Sequence, residues 1–102
     1  MEAKRTIGWM CIGIERLVDA GPFVDYKFVS DVYEASPNRR SGSVVVGQVI
    51  GTLRIRKDTG EVTLAEAMPG DDSNARFRRA ARKIKEHWES GQLPDKTMFA
   101  CG

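Results

Sequence analysis

Arg76, Arg78, Arg79, Arg82, Lys83 and Lys85 gather six of the chain's sixteen basic residues into ten consecutive positions. Guanidinium and ammonium groups at this density are suited to binding anions, and arginine in particular pairs in bidentate fashion with carboxylates and phosphates. Only Glu86 and Glu89 offset them nearby, and outside those ten positions the chain, these two included, holds ten basic residues against fourteen acidic ones. The formal net charge of +2 therefore conceals a dipolar molecule. At about 100° per residue, Arg76, Arg79, Arg82 and Lys83 share a side of a helix away from Phe77, and they form the candidate binding surface. Arg39 and Arg40 in a loop, with Arg54 and Arg56 on a strand, are secondary basic candidates.

Other chemistry is poorly supported. His87 is the single histidine. It adjoins Trp88 at the border of an apolar stripe, and no motif supplies the nucleophile that a catalytic base would serve. Cys11 and Cys101 lie far apart and lack metal-ligand spacing, so free, inert thiols are the expectation. Neither a G-x-G-x-x-G nor a G-x-x-x-x-G-K-S/T loop is present to cradle phosphates. Glu61, Glu66, Asp71 and Asp72 have the positions of turn and cap residues rather than of a carboxylate pair. No catalytic residue, metal or cofactor is expected, and the chain is read as non-enzymatic.

The elements that position the cluster follow from patterning. Asp71, Asp72 and Ser73 can cap a helix N-terminus, while Gly91 and Pro94 mark its end, giving a helix over residues 72–91. Phe77, Ala80, Ala81, Ile84 and Trp88 form its apolar stripe. Residues 6–18 fit a helix by spacing, yet Gly8 and Gly13 weigh against one; the turn at 19–22 and the extended segment 23–35 favour a hairpin instead. A strand over 44–57 lines up Val45, Gly47, Val49, Gly51, Leu53 and Ile55, and its two glycines would make room for Phe77 and Trp88. Gly60 closes a short loop into a return strand over 61–67 with Val62 and Leu64 inward.

These pieces assemble into an α+β fold: a four-stranded antiparallel β-meander over about 6–67, one long C-terminal helix packed on it, and a docked tail over 92–102. The 102 residues make a single domain with a modest core. No apolar run reaches the roughly 18 residues of a membrane helix, and two widely spaced cysteines read as free thiols make a cytoplasmic protein the expectation. Tyr33, Val44, Val46 and Ile50 make the second sheet face apolar enough to suggest a homodimer or higher homo-oligomer. The basic helix would then meet an acidic protein partner. The alternatives are nonspecific nucleic-acid binding through the same helix, in which Arg39, Arg40, Arg54 and Arg56 would join it, or a small ligand in an apolar pocket.

Overall fold

A computed structural model describes the backbone at residues 5–7, 11–35 and 43–99, with side chains described over 11–32 and 46–99. The elements in chain order are β1 (Arg5–Ile7), β2 (Ile12–Ala20), β3 (Phe23–Ala35), β4 (Ser43–Arg56), β5 (Val62–Glu66), α1 (Ala75–Glu89) and β6 (Lys96–Phe99). All pairings are antiparallel, in the order β5-β4-β3-β2-β6. β1 pairs with Val32–Glu34 of β3, beyond the stretch of β3 that β2 occupies.

Residues 12–20 are strand, which settles the N-terminal ambiguity against a helix. The expected meander is β2 to β5. The expected docked tail turns out to be a strand: after α1 the chain returns to the sheet and β6 pairs with β2, Ile12 facing Phe99 and Glu15 facing Lys96. A four-strand sheet therefore undercounts the architecture at both ends.

Alternation sorts the strands into two faces. Ile12, Ile14, Val24, Tyr26, Phe28, Leu53 and Ile55 point to one side, where α1 packs and Ala80 and Ile84 are fully buried. Phe77, Trp88, Leu93 and Phe99 are partly buried around this core. Tyr26 takes its hydroxyl into the core because Pro94 O accepts its hydrogen bond at 2.7 Å. Burial pushes the phenol up to about 12.

Gly51 makes room as expected, but for a different ring. A Cβ there would come within 2.3 Å of Phe28 Cζ, so the glycine accommodates Phe28 from the neighbouring strand, and Phe77 packs against that ring at a tilt of 48° with centroids 6.1 Å apart. Trp88 stands over a different glycine, Gly60, in the β4–β5 turn, and donates Nε1–H to Lys57 O at 2.8 Å. Gly60 is held at φ +74 by that turn. The helix C-terminus is thereby fixed beside the start of β5.

The helix ends also differ from expectation at one side. The C-terminus closes as anticipated: Gly91 has φ +85, Gln92 N donates to His87 O and Gly91 N to Trp88 O, the Schellman pattern. At the N-terminus α1 starts at Ala75, not 72, and Asn74 occupies the cap in the left-handed region without a side-chain cap bond. Asp71 does the capping instead. Its carboxylate accepts the backbone N–H of Arg76 at 3.1 Å and of Phe77 at 3.2 Å. The free-thiol expectation fails at Cys11, which is disulfide-bonded; the cytoplasmic placement loses the thiol argument that supported it. Cys101 lies outside the described residues.

Candidate binding surface

Burying Phe77, Ile84 and Trp88 turns the opposite side of α1 to solvent. Arg78, Arg79, Arg82, Lys85, Glu86 and Glu89 are exposed there, and Lys83 is half-buried at its margin. That face carries five cations against two carboxylates. Arg82 Nε lies 3.6 Å from Glu86 Oε1 in an exposed i,i+4 pair, a geometry that contributes about 0.3–0.5 kcal/mol. Arg78 Nη1 donates to the Ser73 carbonyl at 2.7 Å, which anchors the side chain and leaves its charge exposed. Among the described residues Arg79, Lys83 and Lys85 enter no ion pair.

Arg76 leaves the group that the helical wheel placed it in. It sits at the border with the sheet, its side chain 14% exposed, with Nη1 3.6 Å from Asp71 Oδ1. It belongs to the helix cap. Of the other three, Arg82 lines a groove beside β5 together with Arg78 and Lys85, while Arg79 and Lys83 stand outside it. The wheel positions of Arg78, Arg82 and Lys85, on the side of Ala81 rather than Ala80, hold that information, but only the place of β5 gives it meaning.

The secondary candidates do not join this surface. Arg54 and Arg56 project from the sheet face opposite α1, since the intervening Leu53 and Ile55 are the buried residues. Arg54 makes a two-pronged contact with Asp25, 2.8 and 3.1 Å, and Arg56 does the same with Asp58, 3.0 and 3.2 Å. Both guanidiniums lie over the Phe23 ring, at 4.9 and 5.6 Å. The carboxylate hydrogen bonds raise both arginine pKa values, and the Arg56 bond in turn lowers that of Asp58. Arg39 and Arg40 lie outside the described residues.

His87 is half-buried, with Nε2 3.0 Å from Thr97 Oγ1 of β6. It ties helix to tail, a positional role that fits its place at the border of the stripe. Among the described residues no group of three or more His, Cys, Asp and Glu side chains could hold a metal ion. Nor, among them, is any helix long and apolar enough to cross a membrane.

The open sheet face has an apolar row at its centre. Met98, Gly13, Val29 and Ile50 are successive cross-strand partners on β6, β2, β3 and β4. Met98 is 60% and Ile50 46% exposed. A shallow groove of about 510 Å³ runs over Gly13, bounded by Glu15, Lys27, Gln48 and Lys96. The sequence pointed to Ile50 and Val46 on this face, and both are exposed; the side chains of Tyr33 and Val44 lie outside the described residues. Met98 went unnoticed because the tail was not recognised as a strand. No family model, no curated protein and no solved structure matches the chain.

Proposed function

We propose that this domain is a small, non-catalytic binding module that self-associates and presents the outer face of α1 to an acidic protein partner. The observation that carries the reading is the contrast in pairing. Among the described residues, carboxylates pair with Arg16, Arg54, Arg56, Lys57, Arg76 and Lys96, and none pairs with Arg79, Lys83 or Lys85. Nucleic acid is less well served, because Arg54 and Arg56 point the opposite way and Glu86 and Glu89 sit among the helix cations. Fluorescence anisotropy tests this with two labelled probes, a peptide rich in glutamate and a random-sequence DNA duplex, each at low and at physiological salt. The peptide should bind, and the variant with Arg78, Arg79, Arg82 and Lys85 all changed to alanine should lose about tenfold or more in affinity. A duplex that binds with a salt slope implying about four or more phosphates, lost in the same variant, would reassign the surface to nucleic acid. Binding of neither probe removes the helix as a binding face.

Self-association is favoured by the apolar row and by the charges beside it. Lys27 and Asp31 stand two residues to either side of Val29 on β3. A two-fold axis along the row would exchange them, placing Lys27 of one copy over Asp31 of the other. The two helices would then face outward and remain free. The same packing covers the groove over Gly13, so a small ligand and a second copy compete for it. Sedimentation velocity on Lys27→Glu should show a monomer, and adding Asp31→Lys should restore the dimer. A wild-type monomer at all concentrations would leave the groove to the small-ligand reading.

A further inference from the structure

The flank of α1 that carries Arg78 and Lys85 overhangs an open sheet edge. β5 is the last strand of the sheet, with no further strand beside it among the described residues. Arg56 N donates to Glu61 O and Gly60 N donates to Arg56 O, both at 2.9 Å, so the hairpin closes on a bulged hydrogen-bonded position with Gly60 and Glu61 opposite Arg56. In an antiparallel ladder hydrogen-bonded positions alternate with non-hydrogen-bonded ones. Ile55–Val62 and Leu53–Leu64 are aligned partners, and both fall on the non-bonded positions. The backbone N–H and C=O groups of Val62 and Leu64 therefore turn outward, available to a further strand.

Beside this edge lies a groove of about 470 Å³ between β5 and α1. Val62 and Ala81 give it apolar contact; Arg78, Arg82 and Lys85 line its helix side, with Glu86 and Glu89 toward the helix C-terminus. Trp88 against Gly60 puts that C-terminus at the start of β5, so the carboxylates gather near Val62 and the arginines toward Leu64. Arg78 and Arg82 are one helical turn apart, about 6 Å along the axis. Alternate residues of a strand are about 6.8 Å apart and share a face. The two spacings match closely enough for successive helix-facing side chains of an added strand to meet successive cations.

We propose that β5 is a docking edge, on which an extended acidic segment of a partner protein adds as a further strand, its alternate carboxylates reaching Arg78, Arg82 and Lys85. Backbone hydrogen bonds supply affinity independent of side chains, and the cations select for acid at alternate positions. This rests on the acidic-partner reading above and gives that partner a conformation. The features that usually blunt an edge are modest here: β5 is five residues long, and its ladder with β4 is irregular between Thr52 and Leu53.

The test uses the isotopically labelled full chain and acetylated synthetic peptides with glutamate alternating with valine. Two analogues carry N-methyl groups, one on every glutamate and one on every valine. Strand addition predicts that the unmodified peptide shifts the Val62 and Leu64 amide resonances and slows their exchange. One analogue, and only one, should lose about tenfold or more in affinity, because only alternate peptide N–H groups face β5. Arg78→Ala with Lys85→Ala should weaken the unmodified peptide by a similar factor. If both analogues bind like the parent, strand addition is wrong while the acidic-partner reading stands. If the alanine pair changes nothing, the edge has no preference for acid. If no glutamate peptide binds, both readings fall together.

Discussion

Arg54 and Arg79 are the same residue type on opposite sides of one small domain, and their surroundings are opposite. Arg54 lies over the Phe23 ring with both prongs on Asp25. Arg79 stands on an exposed helix face and, among the described residues, enters no ion pair. The difference is topological before it is chemical. On the sheet, antiparallel register puts Asp25 directly across from Arg54, and cross-strand neighbours on one face are near enough to pair. On the helix only residues three or four apart meet, and of the four such neighbours of Arg79 three are cations, Arg76, Arg82 and Lys83, and the fourth is Ala75. A cation whose partner is supplied by the fold is part of the fold. One whose charged neighbours on the helix are all cations is a surface in search of an anion.

The comparison breaks most visibly at the cap. Asp71 is 5% exposed, and it accepts two helix N–H groups while facing the Arg76 guanidinium. Asp71→Ala would leave those donors and a largely buried charge without it. The expected loss is about 3 kcal/mol, measured by urea unfolding, because truncating one partner of a buried pair adds to the loss of a cap. Asp71→Asn, which keeps an acceptor, should lose less. Equal stability for wild type and Asp71→Ala would place Arg76 back among the surface cations.

That cap also shows where the sequence was legible and where it was not. Meander, helix and the inward rows of β4 and β5 are written in local periodicity, and over the described residues they appear where expected apart from the first turn of the helix. The C-cap at Gly91 is equally local. Asp71 was recognised as a cap residue, yet its neighbours Asp72 and Ser73 seemed equally able, and only the left-handed turn at Asn74 selects it. The tail strand β6 is four residues long and its partner β2 lies some eighty positions earlier, so nothing local marks it as a strand. Six basic residues in ten were plain; that Arg76 packs inward and that Arg78 and Lys85 overhang β5 depends on which edge the helix lies along.

A pH signature belongs to the packed side of the molecule. Tyr26 is buried with its hydroxyl on Pro94 O, and burial holds its folded pKa near 12 against 10.0 for an ordinary phenol. A raised acid favours its neutral form in the native state. The stabilisation is complete below about pH 10 and is lost as pH climbs from there through 12. Thermal unfolding followed over this window should show a falling Tm, and Tyr26→Phe should flatten the fall. An unchanged slope in the phenylalanine variant would assign the alkaline loss to other groups.

The smallest effects give the sharpest form of the contrast. Arg54→Ala removes a two-pronged exposed pair and a ring contact, and should lower stability slightly at low salt, with most of the loss screened away at high salt. Arg79→Ala removes no pair, so its stability should stay within about 0.5 kcal/mol of wild type. Relieving repulsion among the neighbouring cations could even favour the variant at low salt, since like charges one turn apart destabilise a helix by about 0.2–0.5 kcal/mol. Urea midpoints at low and high salt decide this: Arg54→Ala should converge on wild type as salt rises from below, and Arg79→Ala from above or not at all. If instead both variants lose stability equally, the helix cations have partners within the domain, and their charge is not held in reserve for another molecule.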